Sequence, residues 1–81
     1  MTASPAQAGS VAELLGFLDL ERIDDTIFRG HGPDHGFPRV YGGLVIAQAL
    51  AAAERTVEGR APHSLHCYFL IGGDVKAPII Y

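Results

Sequence analysis

Gly42-Gly43-Leu44-Val45-Ile46-Ala47-Gln48-Ala49-Leu50-Ala51-Ala52-Ala53-Glu54-Arg55 is the stretch that decides the fold. From Leu44 onward it consists of helix-compatible residues, and Gln48, Glu54 and Arg55 are its polar side chains. A surface helix shows one polar face, whereas a helix apolar almost all round is buried on most sides. Its five alanines let a sheet approach closely. The paired glycines mark the entry, and Gly59 is the predicted stop.

Working outward toward the N-terminus, Gly30 to Arg39 holds three glycines, two prolines and two histidines and reads as a loop. A loop of that length in a small chain predicts a purpose. Before it, Thr26-Ile27-Phe28-Arg29 reads as a first strand ended by Gly30. Ser10-Val11-Ala12-Glu13 is a capping box, followed by Val11, Leu14, Leu15 and Leu18 at helical spacing. Residues 1–10 are expected to form a disordered lead-in, small, polar and proline-containing, with Ser10 at its end opening the helix. Residues 11–81 are expected to form one partial domain.

Toward the C-terminus, Pro62 restarts the chain in an extended conformation. Leu65, Cys67, Phe69 and Ile71 alternate with Ser64, His66, Tyr68 and Leu70, the period of a strand with one face on a core. Gly72-Gly73-Asp74 turns the chain, and Ala77-Pro78-Ile79-Ile80-Tyr81 begins another strand. One apolar helix wrapped by an antiparallel sheet is the α+β hot-dog arrangement. Two and a half strands cannot cover such a helix, so the arrangement is expected to be incomplete here, with an open sheet edge.

With 81 residues there is room for one small domain, and with 48% hydrophobic and 19% charged residues the chain is not disordered throughout. The net charge of −3, with no Lys/Arg stripe, argues against nucleic acid as a partner. A single cysteine, Cys67, excludes an intramolecular disulfide and suits a reducing compartment. There is no basic region followed by an apolar one at the start, and the run Leu44–Ala53 is too short for a membrane span, which takes ~20 residues. The expectation is a soluble, cytoplasmic protein, or a peroxisomal one in a eukaryote.

Four motifs stand in order. They are Leu14-Leu15 through Phe28-Arg29-Gly30; Tyr41-Gly42-Gly43 leading into Val45-Ile46-Ala47-Gln48-Ala49-Leu50; Pro62-His63-Ser64-Leu65-His66-Cys67-Tyr68-Phe69-Leu70; and Gly73-Asp74 closing with Pro78-Ile79-Ile80-Tyr81. Together, from about Val11 to Tyr81, they resemble the type II (TesB-like) acyl-CoA thioesterases. The resemblance implies the first repeat of a double hot-dog enzyme that hydrolyses fatty acyl-CoA to free fatty acid and CoA. It implies a partner as well, a second hot-dog repeat or another subunit meeting this one through the sheet. The family's catalytic Asp, Gln and Thr or Ser lie in its second repeat and match no position here, so they are expected beyond Tyr81. No cofactor is implied. Leu44 stands where the family commonly has Gln, and Ile71-Gly72 where it commonly has Arg-Pro. A non-catalytic acyl-binding or interaction module is the alternative reading, since an open strand edge can pair with a partner.

The candidate substrate-binding residues are Tyr41, Gly42, Gly43 and His63. Free amides of paired glycines at a helix start suit a thioester oxyanion, but a tight entry where a Cβ would clash is the favoured reading. His63 is a candidate base, but a hydrogen-bonded structural histidine is the favoured reading. His63 and His66 point to opposite faces of a strand, and with His31 and His35 they lack a zinc-ligand pattern, so no metal is expected. Cys67 is expected to be buried and inert. Asp34-His35 is expected to be a polar loop tip.

Overall fold

The computed structural model describes residues 10–34, 36 and 38–81. The predicted lead-in before Ser10 and the His35 half of the Asp34-His35 pair lie outside the described residues. Five elements follow one another: α1 (Val11–Leu18), β1 (Glu21–Asp24), β2 (Ile27–Gly30), α2 (Gly42–Glu54) and β3 (Ile79–Ile80).

α1 starts where the capping box predicts. The Ser10 Oγ accepts a hydrogen bond from the Glu13 amide at 3.0 Å, satisfying one of the helix's orphan donors. The Asp19 amide closes the other end on the Leu15 and Gly16 carbonyls. The apolar stripe does not bury as its spacing suggests. No residue of α1 is buried, and Val11 and Leu15 stand exposed. The helix rests on α2, with Glu13, Phe17 and Leu18 as its half-buried positions.

β1 is an element the sequence reading does not contain. Its residues Glu-Arg-Ile-Asp are all exposed and three of the four are charged, so they carry no strand signature. Pairing supplies what propensity lacks. β1 runs antiparallel to β2 with Glu21 opposite Arg29 and Arg22 opposite Phe28, and the register breaks between Arg22 and Asp24. The two are joined through Asp25 and Thr26, with the Asp25 amide donating to Asp24 Oδ1 at 2.8 Å. Arg29 meets the Glu21 carboxylate in a forked pair at 2.7–2.9 Å. At so exposed a site such a pair fixes register more than it stabilises.

β2 agrees with the predicted strand to within a residue, and β3 completes a sheet of order β1-β2-β3. Arg29 faces Ile80 and Gly30 faces Ile79, and Phe28 and Tyr81 exchange both backbone hydrogen bonds at 2.8–2.9 Å.

α2 departs from its expectation in three ways. It begins at Gly42, two residues before the predicted start, because the Tyr41 carbonyl already accepts from Leu44 and Val45. It ends at Glu54, where the Arg55 and Thr56 amides close on the Ala52 and Ala53 carbonyls. Gly59 has φ +67 but lies beyond that closure and is not the stop. The burial is also narrower. Leu44, Gln48 and Ala52 are the buried residues, one stripe at a spacing of four. β2 packs against the helix, and the rest of the helix's apolar surface is only half covered.

The clearest departure is the segment 61–70. It forms neither helix nor ladder, and every residue in it is exposed. A strand is stabilised by its neighbour, and among the described residues none pairs with this one. Cys67 is therefore exposed, not buried as expected.

The core gathers around Phe28, which is 1% exposed, with Leu20 and Ala52 buried beside it and Ala51 and Tyr81 packed against them. The Arg22 and Arg55 guanidinium groups lie over the Phe28 ring, 4.9 and 5.9 Å from its centroid. Arg55 also donates to the Leu20 carbonyl at 2.6 Å and pairs with Asp19 at 2.8 Å, tying the end of α2 to the link between α1 and β1. Phe28→Ala is expected to cost about 3–5 kcal/mol, enough to unfold a domain of this size. Urea denaturation followed by circular dichroism measures it, and a loss below about 1 kcal/mol would remove Phe28 from the centre of the core.

Candidate functional site

Two helices and a loop converge beside the start of α2 and leave a groove of about 620 Å³. α1 contributes Val11, Leu14 and Phe17, the loop contributes Pro33, and α2 contributes Leu44 and Ala47. Tyr41 and Gly43 stand at its rim, and Ser10 and Glu13 add polar groups. The exposed side of α1 thus acquires a second meaning: Val11 and Leu14 form a wall of this concavity.

The position of the groove relative to α2 gives it polarity. Tyr41 caps the helix with its backbone alone, since its side chain makes no capping bond. The Gly42 and Gly43 amides are first-turn donors with no acceptor among the described residues. Unpaired first-turn amides carry the positive end of the helix dipole, so a partial negative charge at the rim is favoured.

Close packing also accounts for both glycines. A Cβ on Gly42 would lie 3.1 Å from the Phe69 ring, and one on Gly43 would lie 2.5 Å from the Tyr41 ring. The candidates are therefore only partly assembled. Tyr41, Gly42 and Gly43 share one helix entry, and the sequence places them there by adjacency. His63 sits on the exposed segment 61–70 and is not part of the groove lining. His66 does share a face with Tyr68, their rings 4.9 Å apart, as the alternation requires. Among the described residues no group of three or more His, Cys, Asp or Glu is placed to hold a metal. Asp34 turns the loop on itself, its Oδ1 accepting from the Gly36 amide at 3.3 Å.

The residue that sequence reasoning passed over is Gln48, met there only as a polar side chain of an apolar helix and as one member of a family motif. It is 1% exposed. Its Nε2 donates to the Phe17 carbonyl at 2.8 Å and to the His31 carbonyl at 2.7 Å, and its Oε1 accepts from the Tyr81 hydroxyl at 2.8 Å. The amide is thus satisfied by α1, by the start of the loop and by the residue after β3. The approach depends on Gly30, where a Cβ would fall 2.7 Å from Oε1 and 3.0 Å from Nε2. A lone polar residue on an otherwise apolar helix was the available signal, since a buried polar group needs partners.

Burial raises the Tyr81 phenol above its usual value. Between pH 10 and that raised value the folded chain keeps a proton the unfolded chain has lost, so stability falls as pH rises through this window. Tyr81→Phe is expected to flatten that alkaline loss, as followed by thermal melts from pH 8 upward. An unchanged slope would mean Tyr81 does not govern it.

Comparison with known proteins sets this geometry in context. The acyl-CoA thioesterase N-terminal domain profile matches residues 31–81. Acyl-CoA thioesterase 2 of Haemophilus influenzae is 55% identical over 69 residues, covering 84% of this chain and 24% of that protein. Acyl-coenzyme A thioesterase 8 of Homo sapiens is 45% identical over 65 residues, covering 79% of this chain and 20% of that protein. The chain thus spans about a quarter or less of the length of these relatives. Among solved structures, the tesB protein of Mycobacterium avium subs paratuberculosis superposes with a TM-score of 0.83 at 42% identity, covering 88% of this chain and 29% of that one. The α+β hot-dog class expected from the sequence is borne out. No helix among the described residues is long and apolar enough to cross a membrane.

Proposed function

The chain belongs to the acyl-CoA thioesterase family, whose N-terminal domain profile matches residues 31–81, and from that premise we propose that it serves the hydrolysis of fatty acyl-CoA to free fatty acid and CoA by providing the acyl-binding wall. The observation that carries this reading is the apolar groove opening at the glycine-led start of α2. A hydrocarbon chain laid between Leu14, Phe17, Leu44 and Ala47 leaves water, at about 0.8 kcal/mol per buried methylene. Its thioester end then comes to the rim, beside Tyr41 and the Gly42 and Gly43 amides.

In hydrolysis, water adds to the thioester carbonyl, the carbon–oxygen double bond opens to an oxyanion, and the tetrahedral adduct collapses with loss of the CoA thiolate. The thiolate takes up the proton that water gives up. Donors aimed at the oxyanion lower this barrier, and in this reading the two glycine amides face it. The groups that activate the water belong, in the same reading, to a second hot-dog repeat or another subunit joined through the sheet. Leu44 makes the inner end of the groove apolar, which favours an unsubstituted aliphatic chain. A cytoplasmic setting, or a peroxisomal one in a eukaryote, goes with this substrate.

The non-catalytic alternative, an acyl-binding module, shares the groove and differs in turnover. The non-hydrolysable thioether S-hexadecyl-CoA is expected to bind the purified chain, with Leu44→Asp lowering its affinity about tenfold or more. Absence of binding by the wild-type chain would overturn the reading. Palmitoyl-CoA mixed with the chain alone is expected to release no CoA above a blank, and to release it with a polypeptide that also carries the second repeat. Silence from both, with thioether binding intact, would leave acyl binding without hydrolysis.

A further inference from the structure

We propose that Gln48 is a positioning residue that sets the shape of the acyl groove and, through it, the chain length the groove accepts. This rests on the acyl-binding reading above and adds the device that fixes its dimensions. Three walls form the groove, and Gln48 reaches all of them from behind. On the α1 wall, Phe17 lines the groove together with Val11 and Leu14, and its carbonyl takes one Nε2 hydrogen of Gln48 at 2.8 Å. On the loop wall, Pro33 lines the groove two residues after His31, whose carbonyl takes the other hydrogen at 2.7 Å. On the α2 wall, Ala47 precedes Gln48 and Leu44 lies one turn back on the same stripe.

A primary amide has two donors, and both are spent on these walls. The distance between α1 and the loop is therefore set by one planar group of fixed width. The acceptor side is held by the Tyr81 hydroxyl at 2.8 Å, which stops the amide from turning over. Gly30 closes the cage, since a Cβ there would press on the whole amide. Gln48 does not line the groove, so its effect on a ligand passes through the residues it holds.

Two substitutions separate positioning from bulk stability. Gln48→Glu keeps the length of the side chain but, as a carboxylate, offers no hydrogen to Phe17 or His31. Gly30→Ala leaves the amide in place and displaces it. Phe28→Leu weakens the core away from the groove lining and serves as the control for stability alone. The readout is the affinity profile for S-alkyl-CoA thioethers from butyl to hexadecyl, by titration calorimetry, with melting temperatures measured alongside.

The expected result is that Gln48→Glu and Gly30→Ala each compress the preference between long and short chains by about tenfold or more, and that Phe28→Leu lowers the melting temperature without altering the profile. Tyr81→Phe, the mildest change, is expected to shift the profile in the same direction by less, and it keeps the test decisive if Gln48→Glu does not fold. A wild-type profile that discriminates by length, with Gly30→Ala and Tyr81→Phe reproducing it at lowered melting temperature, would overturn the role of Gln48 and leave acyl binding standing. A wild-type chain that binds none of the thioethers would overturn acyl binding itself, and this proposal with it.

Discussion

Gln48 places one amide where three parts of the chain meet, and the hydrogen bonds of that amide constrain where each of them lies. Its two donors take carbonyls from α1 and from the start of the loop, and its acceptor takes the hydroxyl of Tyr81. A buried amide left unsatisfied costs about 1–3 kcal/mol for each lost partner, so the three contacts hold or fail together. The sequence is consistent with this constraint at several positions: Gly30 leaves room, the alanines around Gln48 keep the helix slim, and Tyr81 exchanges backbone bonds with Phe28 so that its hydroxyl reaches inward.

The second organising feature is the aromatic centre beside that amide. Phe28 is enclosed by Leu20 and Ala52 and covered by two arginines. Arg55 serves both sides of this arrangement, stacking over the ring while bonding to Leu20 and Asp19. The polar network and the apolar core therefore share the same helix, with Gln48 and Ala52 one turn apart on one stripe. Beyond that stripe the packing thins. Much of α2 is half covered, and segment 61–70 presents Leu65, Tyr68, Phe69 and Leu70 to solvent.

What was legible in the sequence follows from where local signals decide. The Ser10 cap, the glycine-led helix and β2 each rest on neighbouring residues, and each is found, whereas the turn expected at Gly72-Gly73-Asp74 forms just after it, at Val75-Lys76, closed by the Ala77 amide on the Asp74 carbonyl. β1 was not legible because its charged residues become a strand only through pairing with β2. The strand over 62–71 was over-read for the converse reason, since its alternation is genuine but a ladder needs a second strand. Cys67 followed that error from core to surface. The helix entry at Tyr41, Gly42 and Gly43 was readable because the three are contiguous. Gln48 was not, because its partners lie 17 to 33 residues away and periodicity carries no information at that range.

A photolabelling experiment reaches the centre of this account. A CoA thioether with a palmitoyl-length alkyl chain bearing a diazirine at its midpoint would be irradiated with the purified chain, and the adducts mapped by peptide mass spectrometry. Adducts on α1 and the first turns of α2, at Leu14, Phe17, Leu44 or Ala47, are the predicted result, and they should fall when unlabelled thioether competes. Adducts confined to the exposed apolar residues of segment 61–71, or labelling indifferent to competitor, would contradict the claim that the groove held open by Gln48 is where the acyl chain lies.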